Sequence, residues 1–213
     1  MCESSSRVCL VVCLLLTPTL ARAQQVELGV KGGYFLPAVQ QFERTIVVSG
    51  PSGYAAAHFD ARQNPGVVLG VDIAVWPLSH IGVDLAATVG RSDRSESGLN
   101  RTAVLSTFGV RLVGRKRIGE TTFRLGVGPA LIHMGGSAYD GAATYWSLAK
   151  RTLGGATLQG DITRTAGVLR LRLGVEDALY RVTMSPVTAG SDTTRTPLQH
   201  DLALTAGVSV PLR

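Results

Sequence analysis

The fold is decided by residues 169–176, which read LRLRLGVE. Leucine or valine occupies every second position, and arginine, glycine or glutamate occupies the positions between them. Because successive side chains of a β-strand point to opposite faces, this alternation predicts a strand with one apolar face and one polar face. An amphipathic helix would place its apolar residues three and four positions apart, and the segment does not have that spacing.

The same alternation recurs along the chain and predicts eight strands. Most of them alternate clearly, while the fourth and the sixth are weaker. In chain order the predicted strands lie at residues 26–34, 67–75, 81–89, 102–113, 123–127, 150–160, 169–175 and 202–210.

The predicted connections alternate between short and long. The short ones lie at residues 77–79, at 114–120 and around 161–164, and the long ones at roughly 37–65, 91–101, 134–149 and 181–197. This order is typical of an up-and-down barrel in an outer membrane, where short turns face the periplasm and long loops face outward. The long first connection contains two apolar stretches, residues 45–48 and 54–59, which predict a hairpin. If that hairpin joined the wall, the barrel would have ten strands.

The composition excludes two broad classes of protein. The chain has 213 residues and a formal net charge of +6, yet only 17% of its residues are charged. Its mean hydropathy is +0.22. A disordered chain needs low hydrophobicity and high net charge, so disorder is excluded. The basic residues are spread along the sequence rather than clustered, which argues against a nucleic-acid partner.

The first 23 residues have the pattern of a secretory signal peptide. Arg7 supplies positive charge, residues 8–16 form an apolar run, and Ala21 and Ala23 are the small residues before the predicted cleavage site. The predicted domains are therefore the signal peptide at 1–23 and one barrel domain at 24–213. All 3 cysteines lie before residue 14, so the barrel domain contains none.

Periodicity alone leaves open whether the apolar faces point to lipid or to the interior of a soluble barrel. The charges on the polar faces favour lipid, because eight strands enclose an interior just wide enough for side chains that pair with one another. We therefore expect Val71, Leu85, Leu125, Leu171 and Leu204 to face lipid. The residues predicted to form a structural charge network in the lumen are Glu27, Lys31, Asp72, Asp84, Arg111, Arg124, Arg170, Arg172 and Glu176.

Two segments carry a family resemblance. Residues 26–35, VELGVKGGYF, and residues 200–210, HDLALTAGVSV, resemble the first and last strands of small bacterial outer-membrane β-barrels of the eight-stranded OmpA/OmpX/opacity-like group. The resemblance implies an all-β, antiparallel transmembrane barrel in the cell outer membrane of a Gram-negative-type bacterium. It also implies that outer-membrane lipid, lipopolysaccharide and the barrel-assembly machinery are partners. One departure is the end of the chain, PLR at 211–213, where such barrels usually carry an aromatic residue.

No catalytic, metal or cofactor signature stands out. His58, His80, His133 and His200 do not have the spacing of zinc ligands. Some barrels of the resembled group are lipid A deacylases with a His-x-Ser signature, which no histidine here begins. The basic run RKR at 115–117 predicts a turn in the periplasm, which would either be solvated, as we expect, or contact lipid phosphates.

The sequence therefore predicts a non-enzymatic outer-membrane barrel with a structural role or a surface interaction role through its long loops. The loops would carry any contact with a surface partner. Two alternatives remain at this point. One is a narrow porin-like channel for small solutes, and the other is a soluble secreted barrel that binds an apolar ligand.

Overall fold

The computed structural model describes residues 25–37, 42–50, 53–96, 99–139, 146–148, 151–181, 184–186 and 198–212. The predicted signal peptide lies outside these residues. The described strands are β1 (Gln25–Pro37), β2 (Phe42–Gly50), β3 (Gly53–Gln63), β4 (Gly66–Trp76), β5 (Ile81–Glu96), β6 (Leu99–Ile118), β7 (Thr121–Gly135), β8 (Trp146–Leu148), β9 (Thr152–Ala166), β10 (Leu169–Arg181), β11 (Met184–Pro186) and β12 (Leu198–Leu212), and a 3₁₀ turn, η1, spans Ser137–Tyr139. None of the described helical segments is long and apolar enough to cross a membrane.

The barrel wall consists of strands β1, β4, β5, β6, β7, β9, β10 and β12, in that order and all antiparallel. The wall closes because β12 pairs with β1, so that Val30 of β1 lies between Val208 of β12 and Val71 of β4. The predicted eight-stranded up-and-down antiparallel barrel is confirmed. Closure pairs the backbone groups of every wall strand on both sides, which lipid requires because it offers no hydrogen-bond partners.

Most of the large apolar side chains of the wall point outward. Val71, Leu125, Leu171 and Leu204 are exposed on the outer surface, as predicted, and Leu85 is half-buried. Leu125 is the extreme case, with 73% of its surface exposed. A soluble barrel for an apolar ligand would have the opposite arrangement, with apolar residues inside and polar residues outside.

The short turns form one end of the barrel, which we call the turn end. They lie at residues 77–80, 119–120 and 167–168. Gly119 and Gly167 adopt positive φ values of 60° and 64°, a conformation that glycine reaches without steric cost. Two predicted connections are therefore wrong in extent. Residues 114–118 belong to β6, and residues 161–164 belong to β9, whose lumen-facing alternation continues through Asp161 and Thr163.

At the opposite end, which we call the loop end, the strands run further than predicted. The predicted long loop at 91–101 is wrong, because β5 and β6 stay paired up to Glu96 and Leu99. The alternation continues there in polar form, with Ser92 and Arg94 buried inside and Arg91 exposed outside. A strand that rises above the hydrocarbon no longer needs an apolar outer face, so hydropathy does not reveal it.

The predicted hairpin in the first long connection is confirmed. Strand β2 pairs with β3 over its whole length, from Phe42 to Gly50. Strand β3 then joins the extension of β5 through residues 61–63 only. The hairpin thus continues the sheet beyond the barrel rim without entering the wall, so the alternative of ten wall strands is wrong.

Candidate functional site in the barrel interior

The lumen-facing positions bring the predicted charges together. All of the predicted site residues lie on the inner face of the wall. Glu27, Lys31, Asp72, Asp84, Arg111, Arg124 and Arg172 are buried, and Arg170 and Glu176 are half-buried. Burying an isolated charge in such an interior would cost several kcal/mol of folding free energy. The charged side chains therefore need the partners described next.

The first set of contacts, the Arg111 group, joins strands β1, β5, β6 and β10. Arg111 donates from Nη2 to Asp84 Oδ2 at 2.7 Å and from Nη1 to Glu176 Oε1 at 3.0 Å. Lys31 donates to the same oxygen of Glu176. Arg111 and Asp84 are 1% and 0% exposed, so water hardly solvates their charges. Their ion-pair partners must stabilise these charges instead.

The second set, the Arg172 group, crosses the interior between β4, β9 and β10. Arg172 Nη1 donates to both carboxylate oxygens of Asp72, at 2.8 and 2.7 Å, and its Nη2 donates to Asp161 Oδ2 at 3.2 Å. Asp161 also accepts a hydrogen bond from Thr163 Oγ1 at 3.2 Å and another from Gln159. Asp161 is absent from the predicted charge network because its segment, residues 161–164, is predicted as a turn. The alternation of Gln159, Asp161 and Thr163 with Leu158, Gly160 and Ile162 is the signal that reveals it.

The third set, the Glu27 group, lies toward the turn end. Glu27 accepts hydrogen bonds from three guanidinium groups: Arg115 at 3.0 Å, Arg124 at 3.5 Å and Arg170. The Trp76 ring packs against two of them, with its centroid 4.0 Å from Arg115 Cζ and 5.2 Å from Arg124 Cζ. The predicted solvated turn is wrong for Arg115, because β6 continues past it and turns its side chain inward, whereas Lys116 and Arg117 are exposed.

Glycines provide the space that these side chains fill. A Cβ atom at Gly29 would lie 2.8 Å from Asp72 Oδ2, and one at Gly70 would lie 2.8 Å from Lys31 Cε. At Gly174 a Cβ would lie 3.0 Å from the Cβ of Asp161. The lumen glycines therefore let charged side chains cross a narrow interior, which accounts for part of the high glycine content.

An apolar cluster fills the interior toward the loop end. Its large members include Phe35, Leu105, Ile132, Met134 and Tyr139, all at most 6% exposed. Tyr139 belongs to η1, so a loop residue closes the interior from above. No sequence signal marked Tyr139, because loop residues have no periodicity. A cavity of about 30 Å³ remains between this cluster and the charged groups.

Polar contacts hold Tyr139 in place. Its hydroxyl donates to Gln63 Oε1 at 3.3 Å, and Gln63 Nε2 donates to Ser92 Oγ at 2.8 Å. The guanidinium of Arg94 lies 5.6 Å from the centre of the tyrosine ring. Burial raises the pKa of Tyr139 to about 12, so the hydroxyl remains a neutral donor at physiological pH.

The three histidines whose side chains the structure describes, His80, His133 and His200, do not assemble into a catalytic set. His80 lies 3.1 Å from Ser79 Oγ, His133 lies 3.0 Å from Thr152 Oγ1, and His200 lies 3.3 Å from Asp177 Oδ2. These are separate pairs at exposed positions, and side-chain contacts are not described for His58. Across the described ranges, no three His, Cys, Asp or Glu residues form a group that could hold a metal ion.

Solved structures of similar fold exist, while no protein-family model and no curated protein sequence matches the chain. Neisserial surface protein A matches with a TM-score of 0.56 and 11% identity, over 87% of this chain and 96% of that chain. The outer membrane protein OprG from Pseudomonas aeruginosa matches with a TM-score of 0.55 and 10% identity, over 88% and 96% of the two chains. The outer membrane protein AlkL, solved in DMPC lipid bilayers, matches with a TM-score of 0.57 and 16% identity, over 90% and 92%.

At these identities the likeness concerns the fold. It agrees with the closed wall, the apolar outer face and the charged interior described above. The chain therefore has the fold of the small outer-membrane β-barrels.

Proposed function

We propose that this chain is a non-enzymatic outer-membrane β-barrel of a Gram-negative-type bacterium, with a closed lumen and with its specificity in the loops at the loop end. The observation that carries the proposal is the filled interior. Three ion-paired groups occupy the part toward the turn end, and the apolar cluster with Tyr139 occupies the part toward the loop end. A barrel without a pore would not conduct solutes, which favours a role through its surfaces and loops.

The small size of the cavity at the centre of the described lumen supports a closed interior. The cavity between the apolar cluster and the charged groups measures about 30 Å³, whereas a single water already needs about 10–15 Å³ of such space. The arginines are held by carboxylates from other strands, so opening a path would break several buried ion pairs at once. This supports a structural or interaction role over solute transport.

The hairpin β2–β3 is the largest described element beyond the barrel rim. Among the described residues, β2 pairs with β3 alone, so its outer edge has no strand beside it. An edge of nine residues can accept an extended segment of another protein by backbone hydrogen bonding. We propose that a surface partner binds at this end. We further propose that outer-membrane lipid and lipopolysaccharide surround the wall and that the barrel-assembly machinery inserts it.

Conductance in planar lipid bilayers tests the closed lumen. The folded protein, checked beforehand for insertion, should give no steady ion current above that of protein-free bilayers. A steady current with defined unitary steps would contradict the proposal and favour the narrow porin-like channel.

Epitope insertion tests the orientation of the loops. A tag inserted between Gly50 and Gly53, the paired residues at which β2 ends and β3 begins, should bind antibody on intact cells. The same tag between residues 119 and 120, in a short turn, should bind only after the outer membrane is permeabilised. The reverse pattern would place the hairpin in the periplasm and refute a surface role.

A further inference from the structure

The turn end of the barrel contains a cationic cavity of about 380 Å³. Residues of the first turn and of several wall strands line it. They include Ser79 and His80 of the turn, Arg115, Lys116 and Arg117 of β6, and Arg170 of β10. The volume lies within the range of about 300–1,000 Å³ that is typical of small-molecule sites. The cavity opens on the side of the short turns, away from the loops discussed above.

Positive charge is in excess around this cavity. Beneath the cavity, the single carboxylate of Glu27 is shared by three arginines, Arg115, Arg124 and Arg170. Arg115 and Arg124 are direct cross-strand neighbours on β6 and β7. Such like-charge neighbours repel each other. In the part of the chain that the structure describes, no carboxylate lies within 4.0 Å of Lys116 or Arg117. An additional anion would therefore lower the energy of this end of the barrel.

Arg115 is held in position before any ligand arrives. Its Nε donates to the backbone oxygen of Ser79 at 2.7 Å, and its Nη1 donates to Glu27 at 3.0 Å and to Gln25 at 3.1 Å. The Trp76 ring lies against the face of the guanidinium, 4.0 Å from Cζ. A donor that is already ordered loses little conformational entropy on binding, which distinguishes it from a freely solvated arginine.

Arg117 is ordered in a similar way at the rim. Its Nε donates to the backbone oxygen of Gly119 at 2.9 Å, in the turn that follows β6. Because β-strand residues two apart share a face, Arg115 and Arg117 point to the same side of the wall. Together with Arg170 they supply planar guanidinium donors from two strands, and Thr122 and Ser79 add hydroxyl groups to the lining.

We propose that this cavity binds a phosphate group, on a small phosphorylated solute that enters from the turn end or on a lipid headgroup that reaches the rim. Guanidinium groups match the oxygens of a phosphate with paired, charge-assisted hydrogen bonds. A cleft lined by one sign of charge also concentrates such an anion locally. The proposal concerns the turn end and does not depend on the proposed role of the loops.

Calorimetric titration with inorganic phosphate tests the site. The folded barrel is titrated in a maltoside detergent, which contains no phosphate, at constant ionic strength. The wild type should bind phosphate saturably, and Arg117→Gln should weaken the binding by about tenfold, the loss of one charge-assisted contact. Arg117 belongs to none of the buried ion groups, so this variant should fold normally.

Arg164→Gln is the matched control. It removes the same charge at the same end of the barrel, from an exposed pair with Glu120 at 3.2 Å that does not line the cavity. It should change the phosphate affinity by less than about twofold, because exposed charges are largely screened. Absence of saturable binding in the wild type, or equal losses in the two variants, would overturn the proposal.

Lipid nanodiscs distinguish the two sources of the phosphate group. The phosphate affinity measured in maltoside, which contains no phosphate, is compared with the affinity in discs that contain phosphatidylglycerol. Equal affinity in maltoside and in the discs identifies a soluble phosphorylated ligand. Competition by phosphatidylglycerol that Arg117→Gln abolishes identifies a lipid headgroup. Competition that Arg117→Gln leaves unchanged would contradict a role for this cavity.

Discussion

Arg111→Met tests the energetic role of the lumen charges most sharply. The substitution keeps an unbranched side chain of similar length but removes the guanidinium that contacts Asp84 and Glu176. Glu176 retains Lys31 as a partner. Asp84 is 0% exposed and has no other ion pair among the described residues, so the variant leaves a buried carboxylate without an ion-pair partner.

The size of the effect follows from that burial. Breaking a buried ion pair by removing one partner costs about 3–5 kcal/mol in the free energy of unfolding. Asp84→Asn should cost less, about 1.5–3 kcal/mol, because Arg111 keeps its contact with Glu176. The double variant, Arg111→Met with Asp84→Asn, has no unpaired carboxylate. Its loss of unfolding free energy should therefore be smaller than the sum of the two single losses by about 2 kcal/mol or more.

Urea unfolding in lipid vesicles, followed by tryptophan fluorescence, measures these free energies. The control is Arg164→Met, which breaks the exposed pair with Glu120 and should cost at most about 1 kcal/mol. If Arg111→Met costs no more than the control, or if the coupling between Arg111 and Asp84 is near zero, water solvates these charges and the lumen is a hydrated pore.

Three further predictions test other parts of the structure. Leu171→Arg places a charge on the lipid-facing wall and should cost about 2–4 kcal/mol in vesicle unfolding, whereas Val168→Arg, in an exposed turn, should cost almost nothing. Gly128→Ala should destabilise the barrel by about 1–3 kcal/mol, because the new Cβ would lie 1.9 Å from a backbone oxygen of the neighbouring strand; Gly160→Ala, which makes ordinary 3.5 Å contact, should be tolerated. The pKa of Tyr139 rises from 10.0 to about 12 in the folded state, so stability should fall as the pH rises from about 10 to 12, and Tyr139→Phe should lose that part of the pH dependence.

The wall could be predicted because lipid imposes a simple rule on it. Lipid-facing residues are apolar, and every second residue of a wall strand faces lipid. The alternation in a segment such as LRLRLGVE at 169–176 therefore predicts both a strand and the face that points to lipid. The same rule explains the errors at the strand ends. Beyond the hydrocarbon the outer face is free to be polar, and the continuation of β5 past Arg91 and of β6 past Gly114 carries no hydropathy signal.

The partners inside the barrel could not be predicted from the sequence. Alternation places Glu27 in the lumen, but its contacts with Arg115, Arg124 and Arg170 depend on how the closed wall brings β1 across from β6, β7 and β10. The stagger of the strands in the closed barrel decides which charges meet, and local sequence does not encode it.

Heat-modifiable gel migration tests the central claim, the closed barrel, most directly. The protein is folded into lipid vesicles and run in dodecyl sulfate with and without boiling. A closed barrel resists the detergent until it is heated, so the unboiled sample should migrate as a compact, faster band that boiling converts to the position of the unfolded chain. Arg111→Met should shift this conversion to a lower temperature, because it weakens the lumen. A single band whose position does not depend on heating would contradict the closed barrel and, with it, the assignment of every lumen and lipid-facing residue.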